Sequence, residues 1–245
     1  MGSKIGFPDR RLIMGGLAAL LTLPNWVHAE DAPQSVASDV AVIKGEVEAI
    51  VSRFMARAGA ALSAFKAPSV VIEFTPELSW ISDDANTIHS VAWSQCPPDF
   101  QGLIASWLGA SSPMPASHFF SEVFNAFLVP HELAHFADVK RGYRGDRAKF
   151  FEGEVYANRV AVAFWLGEPG GRERMEKLMQ TVAIVASHLP NPLPTGQDKI
   201  AYFNANYEAL GSNPPAYGWF QFRMFLDAWE LRDEKDFKAL IERSV

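Results

Sequence analysis

Two histidines near the middle of the chain, His131 and His135, stand four residues apart. If this stretch is helical, the spacing places both imidazoles on one face, one turn apart, where they can bind a single metal ion. Glu132 follows the first histidine, where the HExxH motif needs a carboxylate beside a metal-activated water. The pattern therefore predicts a helix over Pro130 to Asp138 that carries a metal site. A buried helix whose histidines are only hydrogen-bonded is the alternative.

Pro130 is expected to disturb this helix. Apolar residues from Phe119 to Leu128 recur at helical spacing and run directly into the motif. A proline has no backbone N–H to donate to the carbonyl four residues earlier. The sequence therefore predicts a kink at Pro130, or a helix that starts there.

The first 29 residues have the order of a cleavable signal peptide. Arg10 and Arg11 precede an uncharged apolar run, Leu12 to Leu23, and cleavage is predicted after Ala29. The run is shorter than the roughly 20 residues of a membrane-spanning helix, so an uncleaved anchor is less favoured. With Ile13 two places after the arginine pair, the segment resembles the twin-arginine export signal. An ordinary secretory signal is the alternative, and both imply an exported, periplasmic or secreted protein.

Charge and cysteine content exclude two classes of protein. The formal net charge is −6, and removal of the signal segment makes it more negative, because that segment is basic. A polyanion such as nucleic acid is therefore not an expected partner. Cys96 is the sole cysteine, so the fold has no intramolecular disulfide and the metal site is not a cysteine-rich zinc finger.

The apolar pattern predicts an α+β fold. A long amphipathic helix is expected from Ser35 to Phe65, followed by two strands, Ser69 to Thr75 and Thr87 to Ser94, that pair across a polar connection. After the motif, the spacing of the apolar residues predicts only helices. They are expected over Phe150 to Leu166, Glu173 to Leu189, Asp198 to Leu210, Tyr217 to Trp229 and Glu234 to Glu242. We expect a small antiparallel sheet packed on the motif helix and a mostly helical C-terminal half.

Residues 30–245 are predicted to form a single domain after the signal peptide at 1–29. Its N-terminal helix and sheet extend to about residue 116, the active-site helices cover 117–166, and a helical subdomain covers 167–245. His89 in the second strand and His118 before the motif helix are expected to have structural roles.

Two histidines leave a catalytic zinc site one protein ligand short. The metzincin continuation is absent, because Asp138 and Arg141 stand where its glycine and last histidine would be. The next predicted helix offers two glutamates, Glu152 and Glu154. They are two residues apart, roughly 200° around a helix, so only one of them can face the metal.

The run Glu154-Val155-Tyr156-Ala157-Asn158 matches a second motif. With the HExxH motif, it resembles the gluzincin metallopeptidases, in which a downstream Glu-x-x-Ala-Asp/Asn motif supplies a glutamate ligand. The resemblance covers about Phe127 to Leu166, and the order of elements resembles the compact minigluzincins. It implies a zincin-like fold and one zinc ion held by His131, His135 and Glu154, with Asn158 supporting a ligand histidine. Asp138, seven residues after His131, is a second candidate for that support; a surface position is its alternative.

The resemblance also implies a reaction. Glu132 would act as general base on a zinc-bound water that attacks a peptide carbonyl. Candidates for the group that contacts the oxyanion or the substrate are Tyr156, His188, Tyr217 and Arg223. By position in the chain, Thr87 to Ser94 resembles the edge strand on which zincins bind an extended peptide.

The sequence thus predicts an exported zinc metallopeptidase whose partner is a peptide or protein substrate. The alternative is a non-catalytic zinc-site protein that acts as a periplasmic binding or assembly factor.

Overall fold

The computed structural model describes residues 34–82, 84–110, 112–142 and 149–242. The predicted signal peptide lies outside these residues. None of the helices that are described combines the length and the apolar character needed to cross a membrane.

The N-terminal helix α1, Gln34–Ala58, lies against the sheet and against the motif helix. Residues spaced by three and four, including Val47, Ile50 and Phe54, form its buried face. The helix is shorter than predicted: a three-residue 3-10 turn begins at Gly59, whose positive φ of 52° does not continue an α-helix.

The sheet has three strands in the order β1-β3-β2: β1 is Ser69–Ile72, β2 is Trp80–Ser82 and β3 is Thr87–Ser90. Strand β2 pairs antiparallel with β3, whereas β1 pairs parallel with β3. The prediction of an antiparallel sheet is therefore wrong for one of its two pairings. The cause is β2, which the sequence did not reveal: the chain reverses twice between β1 and β3, so these two strands run in the same direction.

The position of β3 also corrects the predicted substrate strand. Because β3 lies between β1 and β2, its backbone is paired on both sides and Thr87 to Ser94 is not an edge strand. The edge strand that packs against the motif helix is β2.

The ring of His89 on β3 stacks on Trp80 of β2 at 3.9 Å and its Nδ1 lies 2.8 Å from Glu73, in agreement with a structural role.

Nine α-helices are described, and those after the sheet begin with two short ones. Helix α2 is Pro98–Leu108 and α3 is Ala116–Phe120. The motif helix α4, Leu128–Lys140, and α5, Phe150–Leu166, follow. The C-terminal helices are α6, Gly171–His188; α7, Lys199–Gly211; α8, Pro214–Glu230; and α9, Phe237–Ile241. Helix α5 is central, because α4, α6, α7, α8 and α9 all pack against it.

The region before the motif is a π-helix, Ser121–Phe127, between α3 and α4. Pro130 is the third residue of α4 and cannot donate to the carbonyl of Ala126, four residues earlier. The indole Nε1 of Trp165 on α5 donates to that carbonyl at 3.3 Å. The predicted irregularity at Pro130 therefore takes the form of a π-helix, and α5 supplies the missing donor.

The side chain of Phe54 connects the beginning of the fold to its end. It is fully buried and its ring packs against Phe164 of α5 at 5.8 Å and Phe237 of α9 at 5.1 Å.

We expect Phe54→Ala to lower the free energy of unfolding by about 3–5 kcal/mol, because it removes an aromatic ring from a closed core. Urea denaturation measures this value. Val42→Ala, on the exposed face of the same helix, is the control and should change it by less than about 0.5 kcal/mol.

Candidate metal centre

Helix α4 presents the two motif histidines on one face. His131 is buried, with 3% of its surface exposed, and the His135 side chain is 12% exposed. Their Nε2 atoms are 3.2 Å apart, as the four-residue spacing predicts. The rest of α4 fixes this orientation, because Leu133, Ala134 and Phe136 are completely buried.

Glu154 reaches the same point from α5. Its Oε2 lies 3.4 Å from Nε2 of His131, and its Oε1 lies 3.7 Å from Nε2 of His135. One ligand atom from each of the three residues lies within 4.8 Å of the other two. Glu152 is exposed, so the rival glutamate does not face the histidines. The three predicted ligands therefore form one cluster.

The separations within the cluster are close to those of a tetrahedral metal site. Bonds of about 2.0–2.2 Å to nitrogen and oxygen place the ligand atoms of a tetrahedron about 3.3–3.6 Å apart. The two Nε2 atoms are 3.2 Å apart and lie 3.4 and 3.7 Å from different oxygens of Glu154, while one ligand atom from each residue lies within 4.8 Å of the other two. Two imidazole nitrogens that face each other also require a proton or a cation between them, because their lone pairs repel. The donor set of two imidazoles and one carboxylate is thus compatible with zinc.

Asn158 sets the orientation of His131. It is fully buried on α5, one turn after Glu154, and its Oδ1 lies 2.7 Å from Nδ1 of His131. An amide oxygen only accepts hydrogen bonds, so Nδ1 is the donor and carries a proton. The other ring nitrogen, Nε2, is then directed toward Glu154, where a metal ligand is needed.

Two residues that the sequence analysis did not identify hold the Glu154 carboxylate. The hydroxyl of Tyr207 on α7 donates to Oε1 at 3.1 Å, and the amide of Gln221 on α8 donates to Oε2 at 3.0 Å. The same Gln221 amide donates to the hydroxyl of Tyr217 at 2.8 Å. The only sequence signal for Gln221 was its position one turn after Tyr217, on the same face of a predicted helix.

Glu154 and His131 shift each other's pKa in opposite directions. Burial alone would lower the pKa of His131, but the hydrogen bond and charge of Glu154, together with the charge of Glu132, raise it above the usual value. Burial would raise the pKa of Glu154, but the hydrogen bond and charge of His131 lower it to about 2. Glu154 is therefore a carboxylate at neutral pH, and its charge favours a positive charge, either a proton or a metal ion, at the imidazoles.

Tyr217 is the one of the four predicted contact residues whose polar group lies at this cluster. Burial raises the pKa of its hydroxyl well above the usual value, and the negative charges of Glu154 and Glu132 act in the same direction. The hydroxyl therefore stays protonated.

Glu132 is 7% exposed, and its charge acts on both His131 and Tyr217, which places its carboxylate on this side of α4.

The polar groups of the other three contact candidates have partners elsewhere. Tyr156 donates to the Leu240 carbonyl at 3.1 Å, and Nδ1 of His188 lies 2.9 Å from the Trp107 carbonyl oxygen. The guanidinium of Arg223 stacks on Trp219 at 4.1 Å, and burial lowers its pKa.

Two further residues near the motif have different environments. Asp138 is 4% exposed, which excludes the surface position considered for it, and its supporting role stays a prediction. His118 is exposed on α3, and its Nε2 lies 3.5 Å from Glu122.

Comparison of the chain with protein-family models, with curated proteins and with solved structures gave no match in any of the three. The interpretation of the site therefore depends on its own geometry and on its two motifs.

We expect Glu154→Ala to lower the affinity for zinc by more than about 100-fold, because loss of an outer partner alone commonly lowers metal affinity by about 10- to 100-fold. Equilibrium dialysis against a chelator, with metal content measured by mass spectrometry, gives this value. Glu152→Ala removes an exposed carboxylate from the same helix and is the control. Retention of zinc by Glu154→Ala together with its loss from Glu152→Ala would overturn the ligand assignment.

Proposed function

We propose that this chain is an exported, zinc-dependent metallopeptidase of the gluzincin type, which hydrolyses peptide bonds. The observation that carries the proposal is the convergence of His131, His135 and Glu154, with the buried Glu132 next to the first ligand. Export is proposed from the order of residues in the signal segment alone.

Zinc is the metal that this donor set favours. Two imidazole nitrogens and one carboxylate oxygen are the ligands of one class of catalytic zinc sites, which leave a fourth position for water or substrate. When bound, zinc supplies a Lewis acid that polarises the scissile carbonyl and lowers the pKa of the attacking water. All further steps are assigned to side chains of this chain.

Glu132 is the proposed general base. Its carboxylate would accept a proton from the attacking water and later donate it to the leaving nitrogen of the peptide. Its burial supports this role, because a carboxylate with little access to bulk water retains a proton between the two steps. A non-catalytic zinc-site protein that acts as a binding or assembly factor does not need this residue, so Glu132 distinguishes the two functions predicted from the sequence.

Tyr217 is the proposed donor to the oxygen that becomes negative during attack. Its hydroxyl accepts a hydrogen bond from Gln221 and is also hydrogen-bonded to Tyr207, and its raised pKa keeps its proton in place. Donation to the substrate oxygen would require this proton to turn away from Tyr207. Both tyrosine and glutamine lie on α8, so one helix orients the donor and, through Gln221, the Glu154 carboxylate.

We further propose that the peptide substrate binds along β2. This strand forms one edge of the sheet and packs against α4. A peptide that pairs with the edge would need only backbone hydrogen bonds, and would extend past the motif face.

Replacement of Glu132 by glutamine tests the proposed chemistry. Glu132→Gln keeps the size of the side chain but removes the basic oxygen, so we expect unchanged zinc content and a kcat lower by about 10²- to 10⁴-fold. A digest of a peptide library, read by mass spectrometry, measures the activity. Undiminished hydrolysis by Glu132→Gln would exclude the mechanism. Absence of cleavage by the zinc-loaded native chain would instead favour the binding or assembly function.

Removal of the Tyr217 hydroxyl tests the second assignment. We expect Tyr217→Phe to lower kcat by about 10²- to 10³-fold with little change in KM, because the hydrogen bond would form mainly in the transition state. Steady-state kinetics on one cleaved peptide separates the two constants. Tyr156→Phe removes a hydroxyl that is bonded to the Leu240 carbonyl and serves as the matched control. Equal losses in both variants would show that the effect of Tyr217→Phe is structural.

A further inference from the structure

A cavity of about 240 Å³ lies where α1, the π-helix, α5 and α6 meet. None of the metal-centre residues is among the described residues that line it. Arg53 of α1 and Arg174 of α6 contribute its positive charges, and Glu46 of α1 contributes a carboxylate. The indole of Trp165 on α5 forms part of its wall. The cavity is therefore a second polar site, separate from the metal centre.

The cavity contains a buried hydrogen-bond acceptor. Asn125 of the π-helix is one of its lining residues and is 3% exposed. Its Nδ2 donates to Ser90 Oγ at 2.9 Å and to the Val91 carbonyl at 2.8 Å. These bonds fix the orientation of the amide, because the reversed amide would place its oxygen against the Val91 carbonyl. The other amide atom, Oδ1, has no hydrogen-bond partner among the described residues, a costly arrangement unless a ligand or a water donates to it.

The charges around the cavity are balanced. Arg174 donates to Glu122 through two nitrogens, at 2.6 and 2.9 Å, and Nε of Arg53 lies 2.8 Å from Glu168. The cavity and its ion pairs contain three arginines and three glutamates: Arg53, Arg57, Arg174, Glu46, Glu122 and Glu168. A ligand with a single charge gains little from such a set, whereas a ligand with both charges can contact groups of each sign.

We propose that this cavity binds a free α-amino acid. The carboxylate of the amino acid binds the guanidinium groups of Arg53 and Arg174, whose fork of N–H donors matches a carboxylate. Its ammonium group donates to Oδ1 of Asn125 and to the Glu46 carboxylate, so the buried acceptor gains a partner. This inference goes beyond the proposed peptidase function and does not rest on it, since binding needs neither zinc nor hydrolysis.

The volume of the cavity sets the size of the ligand. An engineered cavity of about 150 Å³ binds benzene, so about 240 Å³ corresponds to roughly nine or ten non-hydrogen atoms. After the backbone atoms of an amino acid, roughly four or five remain for its side chain. Ile50 and Trp165 line the cavity with apolar surface, which favours leucine and methionine over charged side chains.

The arginines leave room for a ligand to enter. The side chains of Arg53 and Arg174 are 44% and 39% exposed, so each can move without disturbing the core. The guanidinium of Arg174 lies 4.2 Å from the centre of the Trp165 ring, and a ligand reaches the buried Asn125 when such a side chain shifts. Asn125 belongs to the π-helix, and single π-helical turns often occur at functional sites.

Substitutions on α1 separate the charges of the cavity from its volume. Glu46→Gln and Arg53→Gln each remove one exposed charge from the lining. Glu48→Gln on the same helix and Arg172→Gln on α6 are the matched controls, because both side chains are exposed and neither is among the described lining residues. Ala49→Phe fills the cavity from an exposed position and leaves every charge in place. Circular dichroism identifies any variant that fails to fold.

The first measurement is calorimetric titration of the native chain with L-leucine and three related probes. L-Leucine should bind with a Kd below about 1 mM. N-Acetyl-L-leucine and L-leucinamide each lack one of the two charges and should bind at least tenfold more weakly, because loss of a hydrogen bond to a charged group commonly costs about a factor of ten or more. Inorganic phosphate, which has no ammonium group, should not displace L-leucine.

The second measurement repeats the L-leucine titration with the variants. Glu46→Gln and Arg53→Gln should each weaken binding at least tenfold, because each removes a charged hydrogen-bond partner of the ligand. Ala49→Phe should abolish binding. Glu48→Gln and Arg172→Gln should change the Kd less than about twofold.

Three results would overturn the assignment. They are no detectable binding at about 10 mM L-leucine, equal affinity for L-leucine and L-leucinamide, and binding that Ala49→Phe leaves intact. Binding that is lost in Glu154→Ala but not in Ala49→Phe would place the amino acid at the metal centre instead. A chain that binds L-leucine in the predicted way but cleaves no peptide would support the cavity assignment and contradict only the proposed peptidase function.

Discussion

The structure depends on the contact between one face of α4 and one face of α5, where two imidazoles and a carboxylate meet in the core. Burying such groups is unfavourable unless each has a partner. Here the surrounding helices supply those partners: Asn158 from α5, Tyr207 from α7 and Gln221 from α8. The C-terminal helices therefore do more than support the fold, because they hold the Glu154 carboxylate beside the two imidazoles.

A second constraint acts at the start of the motif helix. Pro130 removes one backbone hydrogen bond immediately before His131, and the helix before it widens into a π-helix. The indole of Trp165 donates to the carbonyl of Ala126, which has lost its usual helical donor. The residue that compensates for the proline lies on α5, as Glu154 does. The relative position of the two helices is thus fixed by a structural contact as well as by the site itself.

Periodicity and local rules were enough to predict much of the fold and the three residues that meet in the cluster. The limits of α5 agree with the predicted ones, since Gly167 and Pro169 end a strongly apolar pattern. The choice of Glu154 over Glu152 followed from the matching motif, and the structure exposes Glu152, as a rotation of about 100° per residue requires. Strand β2 was missed because three residues give too short a pattern, and its insertion changed the sheet from antiparallel to mixed. Tyr207 and Gln221 lie 53 and 67 residues from Glu154, so no local spacing could reveal that they bind it.

The proposed function requires a zinc ion bound by two imidazoles and one carboxylate. X-ray absorption at the zinc K-edge, measured on purified protein, reports the type and distance of the ligand atoms directly. The predicted spectrum has only nitrogen and oxygen neighbours at about 2.0–2.2 Å, with the outer-shell scattering of two imidazole rings. That imidazole scattering should weaken when either His131 or His135 is replaced by alanine. A spectrum without imidazole scattering, or a protein that holds no zinc after loading, would contradict the account.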